Sequence, residues 1–450
     1  MPRLRSEDAV ATERALKTLA NNRRTGTKDG FEYDFTCPSP SSYPFQWAWD
    51  SCFHAIALTR TDIPRARSEI DSLLRGMDAD GFLPHMLLWQ DDLRARASQD
   101  FRMAVWEGWK SVSLAPPVLA RAVERIHAAE GDERWLQAVL PAVCRFYDWL
   151  HTNRRTSTGL LAIYHPDESG LDMSPKYDAA LGLTAETGPD VAEAWHSRMR
   201  ELLAAYRPGR RPDSDLRRHR KFHWADVLFN SIYADGLTRL ARLLSRAGLP
   251  ACGGGRRFAE RAEQISAALM RECWNPEKGC FHDVDLLAAR REHTVTISSL
   301  FPIIIEHVPD AVARQVIDEH LTNTEEFWLP YPLPSVAANE PAFDPVFATE
   351  AIFRGSSWVN LNWYLYWALR DRGACEAAHV LATRTITAAA AAGMRECYGP
   401  YDGKGHGAVS FGWSSLVLDL IDAASTTASP SADPLPASLT TTPPDPGSAP

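Results

Sequence analysis

An all-α protein is what this 450-residue sequence predicts, and three observations carry the expectation. Long segments repeat apolar residues at spacings of three and four, alternation of the β type is sparse, and a weak internal echo recurs after helical segments. Near the start, "SEDAVATERALKTL" is charged and helical in pattern. "PFQWAWDSCFHAIAL" sets Gln46, Trp47, Trp49 and Asp50 immediately before an apolar helix. "DERWLQAVLPAVCRFYDWLHTN" puts Trp135, Leu136, Val139, Leu140, Val143, Tyr147 and Leu150 on one helical face, and Pro141 should kink that helix or mark a local start. "FAERAEQISAALMRECW" repeats the habit, "SSWVNLNWYLYWALRDR" is so apolar that it should face inward nearly all round, and "FGWSSLVLDLIDAA" supplies the last helix.

The echo consists of "DADGFLPHML" (Asp78 to Leu87), "TSTGLLAIYH" (Thr156 to His165) and "NPEKGCFHDV" (Asn275 to Val284). Each offers a polar turn, a glycine that permits positive φ, and a short mixed run. Helix pairs repeated around one axis would use residues 1–424 as a single domain. Glycine-containing loops between helices are also common in unrelated helical proteins, so the echo by itself leaves both readings open. From Ser425 the chain is Ser, Thr, Pro and Ala with almost no large apolar side chain, and residues 425–450 are expected to be a disordered tail.

Composition narrows the functional classes. With 45% hydrophobic and 23% charged residues the chain reads as a soluble globular protein, long enough for two or three ordinary domains or one large repetitive one. Its 15 Trp are many for this length, and sugar-binding clefts are one place where such rings are used. A net charge of −9 gives no electrostatic reason to bind nucleic acid, and the one basic run, Arg207 to Lys221, is local. Eight cysteines without CxxC pairs argue against a zinc site and a dense disulfide scaffold, and read as buried thiols in a reducing compartment. The N-terminal residues lack a signal-peptide pattern and no uncharged apolar stretch reaches 18 residues, so neither export nor a membrane span is expected and the location reads as cytoplasmic.

Three stretches carry groups that do chemistry. "YHPDESGLDMSP" holds Asp167, Glu168 and Asp172 within six residues, and Gly170 and Pro175 keep it a shaped loop. It lacks the alternating oxygen ligands of a calcium loop. In the second stretch, Asp50 reads either as an N-cap or as an acceptor for sugar hydroxyls beside a stacking Trp49, and His54 either as a core histidine or as a ligand contact. The third, "GMRECYGPYDGKGHGAVSFGWSS", lacks the GK[ST] of a phosphate loop and leaves Glu396 as an ion pair with Arg395 or as a general base. No GxSxG or HExxH occurs, which leaves carboxylate acid–base chemistry standing.

The blocks "YPFQWAWDSCFHAIAL", "ESGLDMSP", "WLPYPLPSVAANEPAFDP", "FRGSSWVNLNWYLYWAL" and "RECYGPYDGKGHGAVSFGWSSLVLDLI" together resemble the mannosylglycerate and glucosylglycerate hydrolases. These are relatives of processing α-glucosidase I and the trehalases. The resemblance implies a single (α/α)6 toroid and inverting hydrolysis of a small α-glucoside or α-mannoside. It makes Asp172 the general acid and Glu396 the general base. It puts Trp49 and Asp50 at the glycone, Arg354, Gly355 and Trp358 on the same cleft, and His85, Asp167, Glu168 and Gly170 in the substrate-binding set. No metal or organic cofactor is implied, the partner is a small glycoside, and the oligomeric state is open. Relatives commonly read "HPWESGLDNSP" and "TQPPV", where this chain has Asp167, Met173 and Ala115. The added carboxylate should disfavour an anionic glycerate there. A non-hydrolytic sugar-binding toroid is the alternative, as is an isomerase using histidines such as His54, His85, His165 and His406 as proton shuttles.

Overall fold

The computed structural model describes residues 5–100, 106–183, 190–203, 221–248 and 254–426. The basic run up to residue 220, Cys252 and the tail beyond Thr426 lie outside the described residues. Helices form where the periodicity places them. Asp132 accepts the backbone N–H groups of Arg134 and Trp135 and so starts helix Glu133–Arg154, which carries Pro141 inside it and buries the predicted apolar face. The helix Val359–Asp371 is buried on almost every side, as its composition demands. Helix Val227–Ala247 has no counterpart in the expectation. Asp226 caps it, and seventeen of its 21 residues are buried.

Helix contacts follow a closed cycle. Ala48–Leu58 touches Leu119–Glu130, which touches Val227–Ala247, then the 3-10 segment Ile297–Ile304, then Val359–Asp371. That helix meets Gly412–Leu416 and its continuation Val417–Thr426, and these return to Ala48–Leu58. Every residue of Ala48–Leu58 is buried. Each helix of the cycle pairs with a less fully buried one: Ile63–Arg75, Glu133–Arg154, Arg256–Glu272, Asp310–Val316, Cys375–Ala392 and, for Val417–Thr426, the distant Ser6–Asn21. Three outer helices end in the echoed loops, whose glycines, Gly81, Gly159 and Gly279, all adopt positive φ. The described cysteines are free thiols, buried except for Cys375. No described helix is long and apolar enough to cross a membrane.

The all-α expectation needs one correction. Short antiparallel sheets stiffen the long connections: the hairpin Arg23–Lys28 with Phe31–Thr36, a four-stranded patch containing Gln46–Trp47 and Met86–Leu87, and the hairpin Arg395–Tyr398 with Gly405–Val409. These connections run partly buried, and pairing is how their backbone N–H and C=O groups are satisfied. Most of the strands are only two residues long and leave no alternation in the sequence, whereas Phe31–Thr36, FEYDFT, alternates over six.

Candidate active site

The segments that enter the helices of the cycle converge on one end. Trp47 occupies the N-cap position of Ala48–Leu58, so Asp50 is the third residue of that helix and not its cap. Asp50 is 3% exposed and its Oδ1 has no hydrogen-bond partner among the described residues. Burial first, and then the charges of Glu396 and Glu69, hold its carboxyl well above the usual range, against a hydrogen bond from its own backbone N–H.

The loop carrying Asp172 begins at a 3-10 turn, Pro166–Ser169, whose capping His165 accepts the N–H of Asp167 at Nδ1 (3.2 Å). Gly170 ends the turn at φ +74, and a Cβ there would lie 2.6 Å from the Trp49 ring. Only glycine lets the loop press on that indole. Glu168 anchors the turn from behind: Arg154 grips both its oxygens at 2.7 and 2.8 Å, and the N–H groups of Leu114 and Tyr164 donate to it at 3.1 and 2.9 Å. Burial alone would raise the Glu168 carboxyl, but Arg154 and these donors outweigh it and hold it below its ordinary value.

Glu396 sits where the hairpin's register shifts, between Arg395 and Cys397, an irregularity that re-aims a side chain. Its Oε2 accepts the N–H of Ala408 at 2.7 Å and its Oε1 the hydroxyl of Tyr43 at 3.2 Å. Gly407, at φ +63, leaves the room: a Cβ would come within 2.4 Å of Oε2.

Asp50, Asp172 and Glu396 line one pocket of about 440 Å³, part of it open to solvent. Aromatic rings form its walls. Trp49 meets Trp413 edge-on (5.4 Å), Phe411 packs on Trp413 (4.5 Å), Tyr43 abuts both Phe411 and Trp47, and His85 meets Trp47 edge-on at 5.0 Å. Burial lowers His85 to about 4, so it is neutral at pH 7. Burial, followed by the charges of Asp167, Glu396 and Asp50, drives Asp172 well above its ordinary value. Glu396 is also raised by burial, but the Ala408 N–H and the Tyr43 hydroxyl pull it back toward the ionised form. Both carboxyls of the pocket are thus raised, Asp172 the more strongly, and the two donors on Glu396 are what set them apart.

Of the residues expected from sequence, Trp49, Asp50, His85, Gly170, Asp172 and Glu396 line the pocket. Asp167 stands beside it, 27% exposed, with His165 Nδ1 3.3 Å from its Oδ2. Three expected contacts are placed elsewhere. Glu168 spends its lone pairs on Arg154 and backbone. Arg354 is fully buried in a two-pronged pair with Asp178 at 2.9 and 2.5 Å, which ties its loop to the segment just after Asp172. Trp358 is 0% exposed and lies behind Phe353, stacked at 3.8 Å, so Phe353 presents the ring to the pocket. Phe353 does so from a left-handed backbone, φ +59. Ala115 and Met173 are buried in the main core.

Of the four shuttle candidates, His85 alone among the described residues lines the pocket. His54 is buried against Gly412 and lies 3.8 Å from Glu69, and His406 stacks on Phe347. Sequence reasoning missed Tyr43, Phe353, Phe411 and Trp413 as pocket residues. All four lie in or within two residues of the quoted blocks, and their aromatic identity was the available signal.

Comparison with known proteins covers almost the whole chain. Residues 43–414 match the mannosylglycerate hydrolase MGH1-like glycoside hydrolase domain. A mannosylglycerate hydrolase of Thermus thermophilus is 28% identical over 435 residues, 90% of this chain and 98% of that protein. A glucosylglycerate hydrolase of Mycolicibacterium hassiacum is 26% identical over 85% of this chain and 93% of its own length. The crystal structure of a GH63 mannosylglycerate hydrolase from Thermus thermophilus, in complex with Tris and D-glycerate, superposes with a TM-score of 0.78 at 27% identity, over 92% of this chain and all of that one.

Proposed function

The chain belongs to the MGH1-like glycoside hydrolase family, and from that membership we propose that it is an inverting, exo-acting α-glycosidase of a small α-glucoside or α-mannoside. The closed cycle of helices supports a single (α/α)6 toroid as its frame, with the pocket at the end where the inner helices begin. In this reading Asp172 gives its proton to the glycosidic oxygen as the bond from that oxygen to the anomeric carbon breaks. Glu396 takes a proton from a water that attacks the same carbon from the opposite face, so the configuration inverts.

One observation carries the proposal: two carboxyls share a ring-walled pocket, Asp172 pushed well above its ordinary value by burial and neighbouring carboxylates, and Glu396 provided with two donors that oppose its own rise. The general acid and general base of an inverting enzyme need that split. Trp49, Phe353 and Trp413 supply apolar faces for a sugar ring, and Asp50 supplies a buried acceptor for its hydroxyls.

The test is a panel of glucosylglycerate, mannosylglycerate, glucosylglycerol, trehalose and short α-glucosides, with NMR of the first-formed sugar. An α-linked substrate should release the β-anomer. First release of the α-anomer would reject the mechanism.

A further inference from the structure

We propose that Arg354 and Asp178 are positioning residues, whose buried ion pair sets the loop carrying Phe353 against the loop carrying Asp172, so that a ring facing the sugar and the acid facing the leaving oxygen are held in one register. The proposal rests on the glycosidase reading above and adds two residues that act on the reaction from outside the pocket.

The pair joins two distant pieces of chain. Arg354 and Asp178 lie 176 residues apart, are 1% and 2% exposed, and meet through two N–H···O bonds of 2.9 and 2.5 Å. A buried ion pair adds little net stability over apolar packing, whereas a two-pronged one fixes angle as well as distance. Geometry is therefore what this pair contributes.

Each end is coupled to the pocket with little slack. Arg354 follows Ile352 and Phe353, both on the pocket wall. Phe347, Glu350 and Phe353 hold left-handed backbone, at φ +56, +54 and +59, a conformation that side-chain-bearing residues keep only where their surroundings impose it. Within this loop Asp344 does part of that. Its carboxyl accepts the N–H groups of Ala348 (3.0 Å) and Thr349 (2.8 Å), and its own N–H donates to the Arg354 carbonyl at 2.7 Å. The Arg354 guanidinium then ties the loop to Asp178. On that side the chain runs from Asp172 to Asp178 through consecutive turns, the N–H of Ser174 donating to the Leu171 carbonyl (3.1 Å) and that of Tyr177 to the Ser174 carbonyl (3.2 Å). Lys176, in the same stretch, is bound to Asp283 and to Asp226, the cap of helix Val227–Ala247. Asp172 is thus referenced to the helical frame through Lys176 and to the Phe353 wall through Asp178.

Leaving-group dependence tests the proposal. An alkyl glycoside needs a proton on its departing oxygen, whereas an α-glycosyl fluoride releases fluoride with little help from an acid. Arg354→Lys keeps the charge and loses the fork. Its kcat on the preferred glycoside of the panel above should fall about a hundredfold, and on the matching α-glycosyl fluoride by about threefold or less, because a misplaced acid is felt only where a proton must move. KM should rise for both through the displaced Phe353 ring. Asp178→Asn, which preserves shape and one acceptor, should give the same split and serves if Arg354→Lys does not fold. Equal losses on the two donors, or no loss, in a folded variant overturn the proposal. Asp172→Asn is the reference. A split there with none in Arg354→Lys and Asp178→Asn rejects the positioning role and leaves the glycosidase reading intact, whereas no split in Asp172→Asn rejects that reading and the proposal with it.

Discussion

Glu168 and Asp172 lie four positions apart on one loop, the first fully buried and the second only partly, and the two carboxyls are driven in opposite directions. Glu168 has a guanidinium and two backbone N–H groups around it and is held ionised. Burial and the charges of Asp167, Glu396 and Asp50 push Asp172 well above its ordinary value. The difference teaches how an active-site loop is divided: one carboxylate takes the cation and fixes the backbone, and the other is left in an unfavourable setting that suits proton donation.

The sharpest way to break this comparison is Asp172→Asn. It should lower kcat by roughly a thousandfold, within the range for a general acid, while the thermal midpoint stays level or rises. A large drop in stability would place Asp172 in the anchoring role instead. Glu168→Gln should do the reverse. It leaves Arg154 buried without its counter-charge, and urea unfolding should show a loss of about 3–5 kcal/mol, the cost of breaking a buried pair from one side. Next comes Gly170→Ala, between the two carboxyls. With φ at +74 and a Cβ 2.6 Å from Trp49, it should cost about 1–3 kcal/mol and reduce kcat/KM by displacing the Asp172 loop from the indole.

The smallest effect is in pH dependence. Asp172 has a raised folded-state pKa, so its contribution to stability is present at low pH and lost as pH rises toward that value. The midpoint of Asp172→Asn should therefore gain on that of the natural chain between acid and neutral pH. Glu168 has a lowered folded-state pKa, so its contribution is present at neutral pH and lost on acidification. The Glu168→Gln deficit should accordingly shrink as pH falls through the carboxylate range. Parallel curves for the two variants would dissolve the contrast.

Much of the frame was legible because helical periodicity is a local property. The apolar Val359–Asp371 helix and the three echoed glycines appear where the residues indicated, whereas Pro141, expected to kink a helix or start one, lies inside the continuous helix Glu133–Arg154. The quoted blocks also brought Asp172, Glu396, Trp49 and Asp50 to one pocket. Depth was not legible. Trp358 and Phe353, or Arg354 and Asp178, look alike in a sequence as candidate contacts, and only packing decides which ring faces the cavity and which cation is consumed behind it. Phe353 reaches its place through a left-handed backbone that no residue propensity announces. Nor did any local signal couple Arg154 to Glu168, since their meeting depends on how the end of a helix folds back under the next loop.

Helix Ser6–Asn21 packs on Cys375–Ala392 and Val417–Thr426, elements synthesised long after it. During translation the early helices must wait with apolar faces exposed, and the hairpin that carries Glu396 also arrives late. A truncated or stalled chain therefore has neither a closed core nor a working pair of carboxyls, and becomes a substrate for chaperones and proteases rather than a partial catalyst.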